Sequence, residues 1–326
     1  MKRRQFMTLL GGAAAWPLAA RAQQAAVPVI GFLSSGSASP FERYTAGFRD
    51  GLKSTGYVVG QNVAIEPRWA DGQYDRLPAL AADLVRRQVA VIAATGGAPA
   101  IGAALAATKA IPIVFSSGGD PVKLGFVASI NRPGGNATGV NIFVAQMEGK
   151  RLGLLRELVT GAVSFVVLLN PTNPNAEGQL RDVQEGARVV GAELQTLYAS
   201  SEAEIDAAFA KMAQQHTKAL LVGSDPFLNS RRDLIIALAA RHRIPAMYEQ
   251  REFALAGGLM SYGTNLVDSY RQIGIYTGRI LKGEKPADLP VMQATKFEFV
   301  INAKTAKSLD VKISDNLLSL ADEVIE

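Results

Sequence analysis

Apolar, β-branched runs alternate along this chain with amphipathic stretches of helical spacing, and the alternation occurs twice in the same order. Val27–Leu33 (VPVIGFL) reads as a buried strand, and Phe41–Thr55 carries Phe41, Tyr44, Phe48 and Leu52 close to helical spacing. Val63–Pro67 follows as a strand, then Arg76–Gln88 as a helix with Leu77, Leu80, Ala81, Leu84 and Val85 on one face. Val89–Ala94 and Ile111–Phe115 read as strands around a helix at Ala98–Thr108. Strands this uniformly apolar belong in a parallel sheet covered on both faces by helices. The order then restarts. Ser164–Leu169, Glu193–Tyr198, Ala219–Gly223 and Ile244–Tyr248 read as strands, with helices over Ala176–Val190, Glu202–Gln215 and Arg231–Arg241 between them. Corresponding points such as Pro112 and Pro245 lie about 130 residues apart, so two α/β units of similar size are expected, with no short-period repeat.

A length of 326 residues, 48% of them apolar and 19% charged, suits two lobes with a core each. The net charge of +5 invites a nucleic-acid reading, but its placement argues against one. Residues 1–22 hold Lys2, Arg3, Arg4 and Arg21 and no acid; beyond them 30 basic residues face 29 acidic ones. The remainder therefore has no electrostatic bias toward DNA or RNA.

Those first residues have the parts of a secretory signal. A basic start is followed by a short apolar run, Phe6–Ala20, and by Ala20-Arg21-Ala22 before Gln23. Arg3-Arg4-Gln5-Phe6-Met7 resembles the twin-arginine export motif, although Thr8 stands where a Lys is usual, so twin-arginine and general export both stay open. The chain has no Cys, which removes disulfides, thiolate chemistry and a lipid anchor on cysteine. The expectation is a soluble periplasmic protein.

The strands end in small, polar or glycine residues: Ser34-Ser35-Gly36-Ser37, Thr95-Gly96-Gly97, Ser116-Ser117-Gly118-Gly119-Asp120, Asn170-Pro171-Thr172-Asn173 and Gly223-Ser224-Asp225-Pro226. Four of the five lead into expected helices. In an open parallel sheet these loops share one edge, where free N–H groups and helix N-termini face a ligand. Such a rim suits the carboxylate of an amino acid or another small acid. Each loop taken singly is equally an ordinary helix cap, with Asp120-Pro121 and Asp225-Pro226 fitting Asp at N-cap and Pro at N1; their concentration on one edge favours binding. Asp225 and Glu249 end strands of the second unit and could pair with a ligand ammonium, Asp225 being preferred because Glu249 has Arg251 beside it. Phe115, Phe227 and Tyr248 lie near the same edges and could hold an apolar side chain, Phe115 being equally a core residue.

Signatures of catalysis are missing. There is no phosphate loop, no dinucleotide-binding glycine motif and no nucleophile elbow. The two histidines, His216 and His242, lack metal-ligand spacing. Glu202, Glu204 and Asp206 read as a solvated helix start. No enzyme, cofactor or metal is expected.

Gln73–Gly97, Ile111–Val140, Ala219–Thr264 and Tyr270–Ile313 together resemble the ABC transporter substrate-binding family that includes tryptophan- and phenylalanine-binding members. The resemblance spans essentially the whole chain past the leader. It implies a type I periplasmic binding-protein fold, with two Rossmann-like lobes on parallel sheets joined by three hinge crossings. These are expected near Val140–Phe143, Met260–Gly263 and Leu289–Lys296. Lobe 1 would comprise 27–140 and 264–288, and lobe 2 would comprise 144–259 and 297–326. Ligand-binding positions carried over are Ser34, Ser35, Thr95, Gly96, Ser116, Ser117, Asn170 and Asp225, with Phe227, Tyr248 and Tyr262 nearby.

The resulting expectation is a monomeric solute-binding component of an ABC importer. It would close on a small solute, expected to be an amino acid, with an aromatic one the family expectation, and then dock on an inner-membrane permease. An exported sensor that delivers its ligand to a receptor is the alternative. A lac-repressor-like regulator would need a helix-turn-helix where the export signal stands.

Overall fold

The computed structural model describes residues 27–38, 42–142, 147–162 and 164–326. The expected leader lies outside them, as does Phe143.

The first run of elements is β1 (Val29–Ser34), α1 (Glu42–Ser54), β2 (Ala64–Trp69), α2 (Leu77–Arg86), β3 (Val91–Thr95), α3 (Ala98–Ala107), β4 (Ile113–Ser117) and β5 (Ala137–Asn141). A 3-10 turn, Tyr74–Arg76, leads into α2. The second run is α4 (Glu148–Leu158), β6 (Ser164–Leu169), α5 (Ala176–Val190), β7 (Glu193–Tyr198), α6 (Glu202–Gln214), β8 (Leu220–Val222), α7 (Pro226–Ser230), α8 (Arg232–Arg241), β9 (Ala246–Tyr248), α9 (Arg251–Leu255) and β10 (Met260–Thr264). The chain closes with α10 (Leu266–Leu281), β11 (Met292–Gln293), β12 (Phe297–Asn302), α11 (Ala303–Ser308), α12 (Asp315–Leu320) and β13 (Glu323–Ile325).

Two sheets result. One runs β11-β5-β4-β3-β1-β2 with every pair parallel; the other runs β13-β12-β10-β9-β8-β6-β7, parallel except for β10 against β12. Without the strands added late, both share one winding, in which the first strand of each unit lies between the second and the third. The repeat read in the sequence is thus a repeat of topology. Strand alternation covers both faces of each sheet. Ile30, Phe32, Val91 and Ala93 enter one core of the first sheet, and Leu33, Ile92 and Ala94 enter the other. Val167 and Leu169 face one side of the second sheet, Val166 and Leu168 the opposite side.

Helix α10 returns to the first lobe and packs along α1. The approach is close because both faces carry glycine there. A Cβ on Gly51 would strike the Arg271 carbonyl, and one on Gly274 the Phe48 carbonyl.

Three neighbouring passages join the lobes. The first leaves β5. The second differs from the expectation: Met260–Gly263 pairs with β9 and β12 inside the second sheet, so the chain changes lobe only at Thr264–Asn265. The third follows β11, which pairs with β5 in the first sheet. Hydrogen bonds tie the passages side by side. Thr264 Oγ1 donates to the Ile142 carbonyl at 2.7 Å, Ala294 N–H to Asn141 at 2.9 Å and Asn265 N–H to Lys296 at 2.9 Å.

Candidate ligand-binding cleft

In a sheet of this winding, the strand ends flanking the first strand open a crevice at the carboxyl edge. Here the crevices of the two lobes face each other across a shared cavity. Lobe 1 contributes Gly96, Gly97 and Ala98 at the start of α3, with Ser116 near the end of β4 and Gly118 just after it. Lobe 2 contributes Asn173, Ser224, Pro226, Asn229, Glu249 and Gln250. Ile142, Leu266 and Tyr270 close the hinge end with apolar surface. Gly96 and Gly97 have φ of +76° and +88°, a left-handed backbone that brings main chain rather than side chain to the wall. A second, more polar cavity opens beyond Gly118 and Asn175, between Asp120 and Lys123 on one lobe and Arg181 and Asp182 on the other.

The walls differ in charge. On lobe 1 the ten-residue α3 presents its N-terminus, where unpaired N–H groups carry partial positive charge. On lobe 2 the Glu249 carboxylate is buried, accepts a short hydrogen bond from Ser224 Oγ and lines the cavity. Burial pushes its pKa up, while Arg151 and the Ser224 hydroxyl pull it down. Behind it Arg151 and Glu148, both fully buried, form an ion pair of 2.7 Å, and Arg151 Nε donates to the Tyr262 carbonyl at 2.9 Å. Burial, outweighing Arg151, pushes Glu148 up to about 7.

The sequence-derived positions are divided by this geometry. Gly96 and Ser116 line the cavity. Ser34, Ser35, Thr95 and Ser117 lie one layer behind the wall. Ser34 Oγ accepts from Gly36 N–H at 3.2 Å, and Ser117 Oγ donates to the Gly119 carbonyl at 2.9 Å. Thr95 bonds Tyr270, whose phenol burial holds well above its ordinary pKa. Ser35 Oγ is buried without a hydrogen-bond partner. Asn170 holds Asp225 rather than the cavity, its Nδ2 donating to Oδ1 at 3.0 Å.

Asp225 is already satisfied within the protein. Its carboxylate accepts from Asn170, from Asn173 Nδ2 at 2.8 Å, from Leu228 N–H at 3.0 Å as the α7 cap, and from Tyr74 Oη at 2.6 Å. It is absent from the cavity wall, whereas Glu249 is present. The three aromatic positions also turn away. Phe227 and Tyr248 enter the second lobe's core, Tyr248 stacked on Phe253 at 4.4 Å between centroids. Tyr262 packs against Phe297 and Phe299 in the core on the opposite face. Alternation explains the pair at the end of β9: Tyr248 faces helices, so the next side chain is free to face the cleft. Tyr270, Leu266 and Ile142 were missed because they come from the hinge and from α10, outside the two repeats. Tyr74 falls in the Gln73–Gly97 stretch of the family resemblance but was not singled out, because nothing in its spacing marks it as a contact residue.

Two doubly wound lobes of one topology, joined by three adjacent passages around an interlobe cavity, define a type I periplasmic binding-protein fold. The chain belongs to the ABC transporter substrate binding protein family, whose model matches residues 26–325. A tyrosine-binding protein of Clostridioides difficile is 27% identical over 270 residues, 82% of this chain and 76% of that protein. An ABC domain solved in complex with L-Trp from Streptococcus pneumonia is 25% identical, with a TM-score of 0.84 over 91% of this chain and 99% of that one. A ligand-free, open substrate-binding protein with adhesive properties from Clostridium difficile is 24% identical, with a TM-score of 0.65 over 92% and 99%. Among the described residues no helix is long and apolar enough to cross a membrane.

Proposed function

We propose that this chain is the periplasmic solute-binding component of an ABC importer, and that it captures an amino acid, aromatic in the first instance, by closing its lobes. The observation that carries the ligand class is the polarity of the cavity. A buried carboxylate, Glu249, faces a helix N-terminus and Ser116 across it. An amino acid is a zwitterion whose ammonium would pair with Glu249 and whose carboxylate would take the N–H groups of Gly97 and Ala98 and the Ser116 hydroxyl. This assignment moves the ammonium partner from Asp225 to Glu249. Apolar surface at Ile142, Leu266 and Tyr270 is left for the side chain. Relatives named for tyrosine and solved with L-Trp support an aromatic one. The greater overlap with the L-Trp complex than with the open structure supports reading the present lobe arrangement as closed. The leader supports export, and catalysis is not part of the proposal.

The test is a thermal-shift series on protein starting at Gln23, refolded to strip bound solute. Phe, Tyr and Trp are compared with the matching acids that lack the amine. At a hundredfold excess over Kd a ligand adds about 2.7 kcal/mol and raises Tm clearly. The proposal expects a rise with the amino acids only, lost in Glu249→Gln. Equal rises with the amine-free acids would remove Glu249 from the ammonium role, and no rise with any amino acid would overturn the ligand class. The importer role predicts that deleting the gene abolishes cellular uptake of the ligand so found.

A further inference from the structure

One contact between the lobes lies outside the ligand cavity. Tyr74, in the turn before α2 of lobe 1, reaches across to α7 of lobe 2. Its hydroxyl donates to Asp225 Oδ2 at 2.6 Å and accepts from Phe227 N–H at 3.2 Å. Its ring packs against the cores of both lobes. Gly72, two residues earlier, lies against Phe227 and Ser230, close enough that a Cβ there would sit 3.2 Å from Ser230 Oγ. The acceptor is held in place from its own side: Asn170, Asn173 and Leu228 N–H fix both carboxylate oxygens of Asp225. Those three donors move with lobe 2, so opening the cleft strips Asp225 of one hydrogen bond and Tyr74 of both.

We infer that Tyr74 and Asp225 form a latch that sets affinity by stabilising the closed arrangement without touching the ligand. The inference rests on the proposed closing motion but not on the identity of the solute. A bond made only when the lobes meet raises the closed fraction, and apparent affinity follows that fraction for every ligand alike. Asn173 connects the two sites, since it both lines the cavity and donates to Asp225. The latch also accounts for Asp225 in physical terms: a buried carboxylate with four donors, one of them supplied by the opposite lobe.

The test is Tyr74→Phe, which keeps the ring and removes only the hydroxyl. Kd should rise about tenfold, the effect of one hydrogen bond to a charged group. The change should appear in the dissociation rate and by the same factor for each amino acid that binds. Small-angle scattering of the ligand-free variant should give a larger radius of gyration than the parent. Unchanged dissociation and an unchanged ligand-free radius would overturn the latch. So would factors that differ between ligands, which would mean that Tyr74 contacts them directly. If no amino acid binds, the ligand class has failed, and the scattering comparison decides the latch by itself.

Discussion

A buried guanidinium with two buried carboxylates nearby is the residue-scale feature that most needs an explanation. Glu148, Arg151 and Glu249 are buried beside the hinge, and one positive charge cannot offset the desolvation of two carboxylates. Glu148 is pushed up to about 7 by that desolvation, and Glu249, Asp225 and Asp182 are raised in the same direction by burial. A carboxyl with a raised folded pKa gives up its proton later than in the unfolded chain. Its contribution to stability is therefore complete below the unfolded value and is lost as pH rises through the folded one. For Glu148, moving from 4.5 to about 7, the linkage is on the order of 3 kcal/mol. The melting temperature of the ligand-free protein should thus fall by several degrees between pH 5.5 and pH 8, and Glu148→Gln should flatten that fall. Thermal unfolding across this range checks it, and an unchanged slope in the variant would assign the pH dependence to other groups. None of this was visible in the sequence, where Glu148 and Arg151 look like one more i, i+3 surface pair. Asp225 was legible as a helix cap, and that is one of its two structural roles. Its second, the bond to Tyr74, depends on a residue 151 positions away in the chain, and periodicity carries no information about such a pairing.

At the scale of elements, the strands and helices of the two repeats were legible because each is either apolar throughout or strongly amphipathic. Ser164–Leu169, Ala176–Val190 and Glu193–Tyr198 have the limits expected from spacing alone. The late elements were harder. β11 spans Met292–Gln293, β13 spans Glu323–Ile325, and both exist through pairing with strands already in place rather than through a pattern of their own. The crossing expected at Met260–Gly263 rested on the family resemblance alone; in the structure that stretch is β10, and the missing side chain of Gly263 lets Glu249 lie against it. The packing of α10 on α1 yields a sharp expectation. Gly274→Ala would gain about 1 kcal/mol of helix propensity on an isolated helix. In the protein the new methyl meets the Phe48 carbonyl, and backbone cannot move aside as a side chain can. The net result should be destabilisation of about 1–3 kcal/mol, as for overpacked cores. Urea unfolding measures it, and a stabilised Gly274→Ala variant would show that the two helices separate without cost.

For the whole molecule, the question is whether the two lobes move as separate bodies around the passages that join them. Each lobe has cores on both faces of its own sheet, and the contacts between the lobes are local, among them Tyr74 on α7, Gly97 near Pro226, Gly119 against the Asn175 side chain and Arg43 of α1 paired with Glu252 of α9 at 3.7 Å. That division is what hinge closure requires, with rigid parts, a narrow joint and a separable interface. It can be tested covalently because the chain has no cysteine of its own. Gly119 belongs to lobe 1 and Asn175 to lobe 2, and a Cβ on Gly119 would lie 2.9 Å from Asn175 Cγ. Asn175 Cβ is one bond from that Cγ, so cysteines at both positions have Cβ atoms no more than about 4.5 Å apart, the outer reach of a disulfide. Oxidising the Gly119→Cys, Asn175→Cys protein with solute bound should trap it, so that dissociation of a labelled ligand becomes immeasurably slow until a reductant is added. Oxidising the empty protein should block binding to the same extent, since the closed cleft admits nothing. Unhindered exchange through the oxidised form would mean that solute enters and leaves without the lobes parting, and closure would then lose its place in the mechanism.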